Sequence, residues 1–514
     1  MDIRLIQKNL WIFQIKRMKK IAAKIFAKFI SWKNKKWIEN PIHAQEKTLK
    51  YLIKKASKTK FGIDHGFESI KSYEDFKLKT PINDYEGLKP YIEMIVEGEK
   101  DVLWEGKPLY LAKTSGTTSG VKYIPITRDS MPTHINSARD AILNYIDQTG
   151  NVEIVTGKQI FIQGSPVLES LNGISLGRLS GIVAHFVPSY LQKNRMPSWE
   201  TNCVEDWEEK VDLIVEETVH ENMTVIGGIP SWVQMYFEKI IKKTGNTIGK
   251  QFPAFSLFIY GGVSFKPYQS LFKSLIGRKI DSIELFPASE GFFAYQDKVE
   301  SEGLLLLVDN GIFYEFIEAD KFLEPNQKRI SLKDTKLGVN YVLILSTNAG
   351  LWSYNIGDTV SFVSNNPYRI IVTGRIKHFI SAFGEHVIGK EVETAIKNVI
   401  ESTTIEIREF TVAPQIKVIS GLPYHDWLID FKNSPIKIEE FSKKLDIEMR
   451  KQNIYYDDLI KGKVLRPLKI SVVESQGFEN YMKKIGKLGG QNKVPRLSND
   501  REIANQLVLK INNE

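Results

Sequence analysis

The sequence predicts an α/β fold, with a large N-terminal domain followed by a small α+β C-terminal domain. Between residues 159 and 286, short apolar runs alternate with amphipathic helical patterns, which is typical of a parallel sheet. From about residue 302 the pattern becomes rich in strands, which predicts a β-barrel-like subdomain attached to the parallel layer. At 514 residues the chain is also too long for one compact core, so at least two domains are expected.

Residues 1–39 are predicted to form a basic helix. They contain no Gly or Pro, and apolar residues recur at near-helical spacing at Ile6, Leu10, Phe13, Ile21, Ile25 and Phe29. We expect this helix to pack its apolar stripe on the body of the protein and to leave its lysines in water. The alternative is weak contact with an anionic membrane surface, to which Trp11, Trp32 and Trp37 would contribute.

The positive charge of the chain is confined to its N-terminus. Of 70 basic and 61 acidic residues, eleven and two lie in the first 40 residues, which leaves 59 of each sign in the body. A neutral body argues against nucleic acid as a partner, because phosphate binding needs a basic surface. No apolar run approaches the roughly 20 residues that span a bilayer, and no signal peptide is recognisable.

Cysteine usage indicates a reducing compartment. The chain has one cysteine, Cys203, so it cannot form an internal disulfide. Acidic neighbours raise the pKa of a thiol, so we expect an unreactive structural cysteine rather than a nucleophile. A cytoplasmic location is therefore expected.

Small residues follow two of the strands in the predicted parallel layer. Its elements are strands at Gln159–Gln163, Met223–Ile229, Leu257–Tyr260 and Ile283–Phe286, and helices at Trp207–His220, Trp232–Lys242 and Tyr268–Leu275. The third strand is followed by Gly261-Gly262-Val263-Ser264 and the fourth by Pro287-Ala288-Ser289-Glu290-Gly291. Ligands of open α/β sheets bind at these carboxyl ends, and small residues let a planar group such as adenine approach the backbone.

The strand-rich region opens on a hairpin signal. Leu304–Val308 and Ile312–Ile317 flank Asp309-Asn310-Gly311, which predicts that these two strands pair. Further strands are predicted at Tyr341–Ser346, Leu351–Tyr354, Thr359–Val363 and Tyr368–Val372. After Gly374-Arg375 the pattern changes to strands at Glu406–Val412, Trp427–Phe431 and Leu468–Val473 and helices at Glu391–Ile400, Ile438–Lys451 and Asp500–Leu509.

The stretch Lys113–Pro125 has the composition of a loop that holds a polyphosphate. Hydroxyl residues alternate with Gly116 and Gly120, and Lys122 closes the stretch. Glycines let backbone N–H groups point into one concavity, hydroxyls add donors, and lysine adds positive charge. The spacing is not that of a Walker A loop, because three residues separate the glycines and Val121 precedes the lysine. A solvated turn is the alternative.

Further segments follow this loop in a characteristic order: Phe286–Glu290, Tyr354–Asp358, Gly374-Arg375 and Asn492-Lys493-Val494-Pro495-Arg496. The ordered set resembles the adenylate-forming enzyme superfamily and, within it, the bacterial branch of the auxin-responsive-promoter family of acyl acid–amido synthetases. The resemblance covers nearly the whole chain after residue 40. It implies a large domain over residues 40–376, a small mobile domain over residues 377–514, and ATP with Mg²⁺.

The resemblance also implies a role for each matched residue. The β- and γ-phosphates would be held by the loop residues Ser115, Gly116, Thr117, Thr118, Ser119, Gly120 and Lys122. Gly262 and Val263 would border the adenine, and Ser289 would meet the α-phosphate. Asp358 would accept hydrogen bonds from the ribose hydroxyls, with Arg375 beside it. The implied catalytic residues are Lys122, Glu290, which would hold Mg²⁺, and Lys493, which would reach the α-phosphate. Lys377 matches the hinge.

The implied reaction is ATP-dependent activation of a carboxylic acid with release of pyrophosphate, followed by transfer of the acyl group to an amine of an amino acid. The expected enzyme is a monomeric ligase with a small acid and an amino acid as substrates. Two alternatives remain at this point: an acyl-CoA ligase, and a nucleotide-binding or membrane-associated protein without turnover.

Overall fold

The structure is a computed structural model of the chain. The residues it describes are 3–115, 121–187, 192–262, 265, 268–322, 324, 327–376, 379–380, 382–385, 387–401, 403, 405–433, 435, 437–485 and 494–507. No helix among them is apolar over a long enough stretch to cross a bilayer.

Helices and strands alternate along the described part of the chain. The α-helices are α1 Ile3–Glu39, α2 Pro41–Ala56, α3 Lys60–Asp64, α4 Tyr73–Lys79, α5 Tyr85–Val96, α6 Met131–Thr149, α7 Leu179–Ala184, α8 Trp199–Cys203, α9 Trp207–Thr218, α10 Pro230–Thr244, α11 Ile248–Gln251, α12 Gln269–Ile276, α13 Gly389–Glu401, α14 Ile438–Gln452, α15 Ile454–Lys461 and α16 Gly477–Lys484. The strands up to the middle of the chain are β1 Tyr110–Ser115, β2 Val121–Ile126, β3 Lys158–Ile162, β4 Glu169–Leu171, β5 Ile174–Gly177, β6 Arg195–Met196, β7 Met223–Gly228, β8 Leu257–Gly261, β9 Asp281–Ala288 and β10 Gly291–Tyr295. The later strands are β11 Leu304–Leu306, β12 Ile312–Glu318, β13 Ile330–Ser331, β14 Asn340–Thr347, β15 Tyr354–Asn365, β16 Tyr368–Arg375, β17 Phe379–Ile380, β18 Val387–Ile388, β19 Glu406–Gln415, β20 Tyr424–Asn433 and β21 Lys469–Val472.

One mixed sheet organises most of the described strands. Its order is β13-β12-β14-β15-β16-β11-β10-β9-β8-β7-β3-β6. Strands β6, β3, β7, β8 and β9 pair in parallel, as the alternation of strands and helices predicts. Strand β9 pairs in parallel with β8 and antiparallel with β10, so the sheet changes direction at this strand. The predicted α/β class is confirmed, and the antiparallel strands continue the parallel layer within the same sheet.

The hairpin predicted around Asp309-Asn310-Gly311 is wrong. Strand β11 pairs with β10 and β16, whereas β12 pairs with β13 and β14. Gln45 of α2 explains the difference, because its side-chain amide nitrogen donates 2.8 Å hydrogen bonds to the carbonyls of Val308 and Ile312. The amide oxygen of Gln45 accepts a 2.8 Å bond from the Tyr314 backbone N–H. One buried side chain thus supplies partners to backbone groups on both sides of the turn.

Other predicted boundaries also need correction. The segments Leu351–Tyr354 and Thr359–Val363 are not separate strands, because β15 begins at Tyr354 and includes Asn355–Asp358. The helix predicted over Asp500–Leu509 is, among the described residues, a 3₁₀ turn at Ala504–Gln506. Helices α5 and α6 were not predicted. Leu88, Ile92 and Ile95 of α5 are buried at helical spacing, and Asp84 caps its first turn.

Helix α1 packs on the body, but not through the described half of the predicted stripe; the side chains of Ile6, Leu10 and Phe13 lie outside the described residues. Its buried face contains Ala27 and Ile30, which lie in one apolar cluster with side chains of α6. Ile21, Ile25 and Phe29, which we expected to face inward, are each more than half exposed. Apolar side chains of α1 lie on two faces of the helix, and the narrower face contacts the body.

Three smaller sheets complete the described architecture. Strands β2-β1-β5-β4 form a four-stranded sheet next to α5, β17 pairs with β18, and β19-β20-β21 form a three-stranded sheet in the C-terminal region. Apolar side chains of that C-terminal sheet continue the core of the parallel layer, with Phe410 and Trp427 in the same cluster as Phe258. Tyr268 adds a buried hydrogen bond of 2.7 Å from its hydroxyl to the Ala382 carbonyl.

Candidate active site

A cavity of about 1500 Å³ lies where the parallel strands end. Strands β7, β8 and β9 are parallel neighbours, so their carboxyl ends meet at one edge of the sheet. The predicted site residues that line this cavity are Lys122, Gly262, Ser289, Glu290 and Asp358. Residues more than 230 positions apart in the chain therefore share one space, in the place where an α/β sheet binds its ligands.

The predicted phosphate-binding stretch is a β-hairpin. Strands β1 and β2 are antiparallel, with Thr114 opposite Lys122 and Ser115 opposite Val121. Residues 116–120, which include the predicted Gly116, Thr117, Thr118, Ser119 and Gly120, connect these strands and lie outside the described residues. For Ser115 the structure describes the backbone alone. The Lys113 ammonium is 2.5 Å from a Glu169 carboxylate oxygen, which ties β1 to β4.

Lys122 is positioned by an aromatic residue that sequence reasoning missed. Its ammonium nitrogen lies 5.3 Å from the centroid of the Tyr85 ring, within the range of a cation–π contact. The Tyr85 hydroxyl accepts a 3.0 Å hydrogen bond from the Tyr123 backbone N–H, and burial raises the pKa of this tyrosine. Tyr85 at the start of α5 therefore fixes both the strand and its lysine at the cavity wall.

Ser289 and Glu290 form the two-residue turn between β9 and β10, in which Ala288 pairs with Gly291. A Cβ at Gly291 would lie 2.6 Å from the terminal methyl carbon of Ile312, so glycine at this position allows the turn to pack closely against β12. The hydroxyl and the carboxylate are thereby held next to each other at the strand where the sheet changes direction. Both side chains are partly buried and line the cavity.

The Asp358 segment is held by backbone bonds to the N-terminal region. The Asn355 backbone N–H donates a 2.7 Å bond to the Asn83 carbonyl, and the Asn355 side-chain oxygen accepts a 2.8 Å bond from the Gly357 N–H. Gly357 has a φ of +85°, which glycine adopts without strain. In the ladder of β15 and β16, Asp358 lies opposite Arg375, as expected for neighbours. For Arg375 the structure describes the backbone alone.

Helix α15 brings the C-terminal region to the same cavity. The Tyr455 hydroxyl donates a 3.0 Å hydrogen bond to the Lys113 carbonyl. Asp458 forms an ion pair with Arg178, whose guanidinium carbon lies 5.0 Å from the centroid of the Tyr455 ring. Sequence reasoning missed all three side chains. Asn453, which caps α15 through its side chain, was the available signal that a helix begins here.

A buried lysine lies in another part of the cavity wall. Lys210 is 1 % exposed and donates a 2.5 Å hydrogen bond to the Asn202 carbonyl. Burial lowers the pKa of its ammonium group to about 8. Near it, the rings of Trp207 and Trp232 lie 4.4 Å apart. Leu179 and Trp232 supply further apolar lining to the cavity.

The remaining predicted residues cannot be located. Val263, Lys377 and Lys493 lie outside the described residues. Within the described part of the chain, no group of three or more His, Cys, Asp or Glu side chains could enclose a metal ion. Glu290 fits a different kind of site, in which one carboxylate and the oxygens of a bound substrate and water share the ion. Mg²⁺ is commonly bound in this way.

Sequence models of one family match the chain in three segments. They are the GH3 family N-terminal domain over residues 33–185, its central domain over residues 305–375 and its C-terminal domain over residues 390–502. Together these segments contain the hairpin, Asp358, Arg375 and Lys493. Glu290 and the end of β8 lie between the first two matches.

Two curated relatives carry the same family name, and a third is also a synthetase. The indole-3-acetic acid-amido synthetase GH3.3 of Arabidopsis thaliana is 24% identical over 226 residues, which cover 41% of this chain and 38% of the relative. The synthetase GH3.6 of the same plant is 29% identical over 34% of this chain and 30% of the relative. These two alignments thus span about a third of each relative. The jasmonoyl–L-amino acid synthetase JAR4 of Nicotiana attenuata is 21% identical over 78% of this chain and 81% of the relative.

Solved structures share the fold over nearly the whole chain. The GH3.15 acyl acid amido synthetase matches with a TM-score of 0.58 at 16% identity, covering 92% of this chain and 94% of that one. A 2-hydroxyisobutyryl-CoA ligase matches with a TM-score of 0.57 at 12% identity, covering 91% and 92%. The family resemblance seen in the motifs is confirmed, whereas the bacterial branch stays a prediction. Because its N-terminal, central and C-terminal domains all match in order, the chain belongs to the GH3 family.

Proposed function

We propose that this protein is an ATP-dependent acyl acid–amido synthetase. It adenylates a carboxylic acid with release of pyrophosphate, and then transfers the acyl group to the amine of an amino acid. The observation that carries the proposal is that Lys122, Ser289, Glu290 and Asp358 line one cavity in a chain of this family.

The first step overcomes the poor reactivity of a carboxylate, whose oxygen is a poor leaving group. A carboxylate oxygen of the acid attacks the α-phosphorus of ATP, a carbonyl–oxygen–phosphorus link forms, and the bond to pyrophosphate breaks. Lys122 would stabilise the negative charge on the departing phosphates, together with the loop residues 115–120. The Ser289 hydroxyl would donate to the α-phosphate, and Lys493 would bring a second ammonium group there.

Glu290 would hold Mg²⁺, which prefers oxygen ligands such as a carboxylate. When bound, the ion would neutralise charge on the phosphates. Asp358 would accept hydrogen bonds from the ribose, and Gly262 and Val263 would leave room for the adenine. These residues would hold the nucleotide in the same place for both steps.

In the second step, the amine nitrogen attacks the acyl carbon. A carbon–nitrogen bond forms, the bond between that carbon and the AMP oxygen breaks, and the amine releases a proton. We propose that residues 40–376 bind the nucleotide and that residues 377–514 form a mobile domain, which brings Lys493 to the cavity for the first step. A barrel-like arrangement of the antiparallel strands, a monomeric state and a cytoplasmic location belong to the same proposal.

Pyrophosphate release tests the first step. The full chain is incubated with ATP, Mg²⁺ and a panel of aryl, indole and aliphatic acids, and hydroxylamine is added to trap the activated acyl group. We expect release with at least one class of acid, and loss of release in Lys493→Ala. Lys484→Ala is the matched control, because this lysine lies in α16 shortly before the same segment. Folded protein that gives neither pyrophosphate nor hydroxamate across the panel would refute the proposal.

The acceptor is tested with the acid identified in this way. Addition of each amino acid in turn, or of coenzyme A, is followed by mass spectrometry of the product. An amide with at least one amino acid supports the proposal, whereas a thioester alone identifies the protein as an acyl-CoA ligase.

A further inference from the structure

We propose that the outward face of α1 docks the protein on an anionic membrane surface. This face carries an outer stripe, defined as Met18, Ile21, Ile25, Phe29 and Trp32. Successive members are three or four residues apart, so they lie on one side of the helix. Each of the five side chains is between 51% and 71% exposed. This inference concerns a surface apart from the cavity and does not rest on the proposed enzymatic activity.

The outer stripe is not the face that attaches α1 to the protein. Ala27 and Ile30 on the opposite side are 0% and 3% exposed, and they pack with Tyr145 of α6. Lys20 reinforces this attachment through an ion pair of 2.5 Å with Glu153. A helix that only covers a core is polar on its outer face. Here the outer face is apolar, so the core does not account for it.

The two aromatic members of the stripe form a continuous surface, since the ring centroids of Phe29 and Trp32 are 6.1 Å apart. Phe26, which lies beside the stripe and is 37% exposed, has its ring centroid 6.5 Å from that of Phe29. Contiguous exposed apolar patches mark surfaces that bind proteins or membranes. Exposed tryptophan suits the boundary between lipid and water, because its ring is apolar and its N–H is polar.

The positive charge around the stripe favours an anionic lipid surface over other binding partners. Residues 16–39 contain nine Lys or Arg and one acidic residue, Glu39. By helical geometry, Lys24, Lys28 and Lys35 lie along one edge of the stripe and Lys33 along the other. An apolar stripe bordered by lysines is the arrangement by which helices lie in the surface of anionic bilayers. A second copy of the chain would instead bring two basic helices together, and like charges oppose that association.

Vesicle sedimentation of the full-length protein tests the apolar part of the proposal. The vesicles are phosphatidylcholine alone or an equal mixture of phosphatidylcholine and phosphatidylglycerol. We expect the wild type to bind the mixed vesicles. The triple variant Ile25→Ser, Phe29→Ser, Trp32→Ser should bind them at least about tenfold more weakly. The matched control is Ile63→Ser, Leu78→Ser, Ile447→Ser, which changes side chains that are 66%, 86% and 51% exposed elsewhere.

A second pair of variants tests the position of the lysines, because both variants have the same net charge. Lys24→Gln, Lys28→Gln, Lys35→Gln removes three charges beside the stripe, and we expect binding to mixed vesicles to fall about tenfold or more. Lys279→Gln, Lys397→Gln, Lys437→Gln removes three charges from exposed ion pairs elsewhere and should bind like the wild type.

The proposal is overturned if the wild type fails to bind mixed vesicles, or if each variant behaves like its control. It is also overturned if light scattering shows a dimer that the stripe variant abolishes, because the stripe would then bind a second copy. Circular dichroism checks that all variants are folded. Pyrophosphate release, measured without vesicles, is expected to be the same in all of them, so failure of docking and failure of the enzymatic proposal are distinguishable.

Discussion

The Tyr455 hydroxyl donates a 3.0 Å hydrogen bond to the backbone carbonyl of Lys113, and this bond joins the C-terminal region to the hairpin at the cavity. The two residues are 342 positions apart in the chain. Arg178 supports the junction, since it contacts the Tyr455 ring and forms an ion pair with Asp458. The placement of α15 and that of the predicted phosphate-binding hairpin are therefore coupled.

Tyr455→Phe removes this hydrogen bond and keeps the ring. Since one neutral hydrogen bond contributes about 0.5–1.5 kcal/mol, we expect pyrophosphate release to slow by about two- to tenfold. Thermal unfolding should change little, because the aromatic contact with Arg178 remains. Tyr424→Phe is the control, since Tyr424 contacts Arg466 and does not line the cavity. Equal rates in the two variants would contradict a role for the junction.

Glu290→Gln keeps the size of the side chain and removes its negative charge. We expect pyrophosphate release to fall on the order of a hundredfold, because charge stabilisation at a reacting phosphate has effects of that size. The Mg²⁺ concentration needed for half-maximal rate should rise. Glu300→Gln is the control, since Glu300 is exposed and pairs with Lys279. A Glu290→Gln enzyme with an unchanged Mg²⁺ requirement would exclude this residue as the ligand.

Arg329→Met leaves a buried carboxylate without its ionic partner. Arg329 and Glu315 are 3.0 Å apart with side chains 6% and 0% exposed, and Glu315 also accepts a bond from the Ser353 hydroxyl just before β15. We expect a loss of about 3–5 kcal/mol in the free energy of unfolding, measured by urea denaturation with tryptophan fluorescence. Lys279→Met breaks an exposed pair and should cost less than about 1 kcal/mol. Similar losses in both variants would refute this assignment.

His134 in α6 makes stability depend on acid pH. Burial lowers its pKa to about 4, so between pH 6.5 and 4 the unfolded chain binds a proton that the folded chain does not. The free energy of unfolding therefore decreases as the pH falls through this window, by about 2 kcal/mol at pH 5.

The test compares urea unfolding at pH 7 and pH 5 in the wild type, in His134→Leu and in His220→Leu. His134→Leu should lose less stability on acidification than the wild type, by about 2 kcal/mol. His220 is exposed, so its variant should retain the wild-type difference. Parallel losses in all three proteins would show that His134 does not titrate as proposed.

The order of the motifs along the chain, through the family resemblance it carries, singles out Glu290 and Lys122 from the sequence, and the fold brings their segments to one cavity. Each segment taken alone is equally compatible with an ordinary turn. Tyr85, Arg178 and Tyr455 are ordinary residue types in ordinary helices and loops. Their importance comes from contacts with distant segments, which no local pattern encodes.

Contacts between distant segments also account for the errors in the predicted fold. Turn chemistry at Asp309-Asn310-Gly311 favours a hairpin, but a side chain from α2 competes with strand pairing there. The apolar spacing of α1 is compatible with more than one inward face, and periodicity alone does not decide which one the body covers. In both cases tertiary packing overrides a correct local tendency.

The hydrogen bonds of Gln45 make α2 a structural part of the main sheet. Its side-chain amide bonds to the carbonyl of Val308, which is 263 positions away in the sequence. The same amide also bonds to Ile312, the first residue of β12, and so holds the start of that strand. A chain that began after Ala56 would lose three hydrogen bonds to backbone groups of the sheet. The stability of the antiparallel half of the sheet is therefore coupled to the docking of α2, so cutting the chain between them would weaken both.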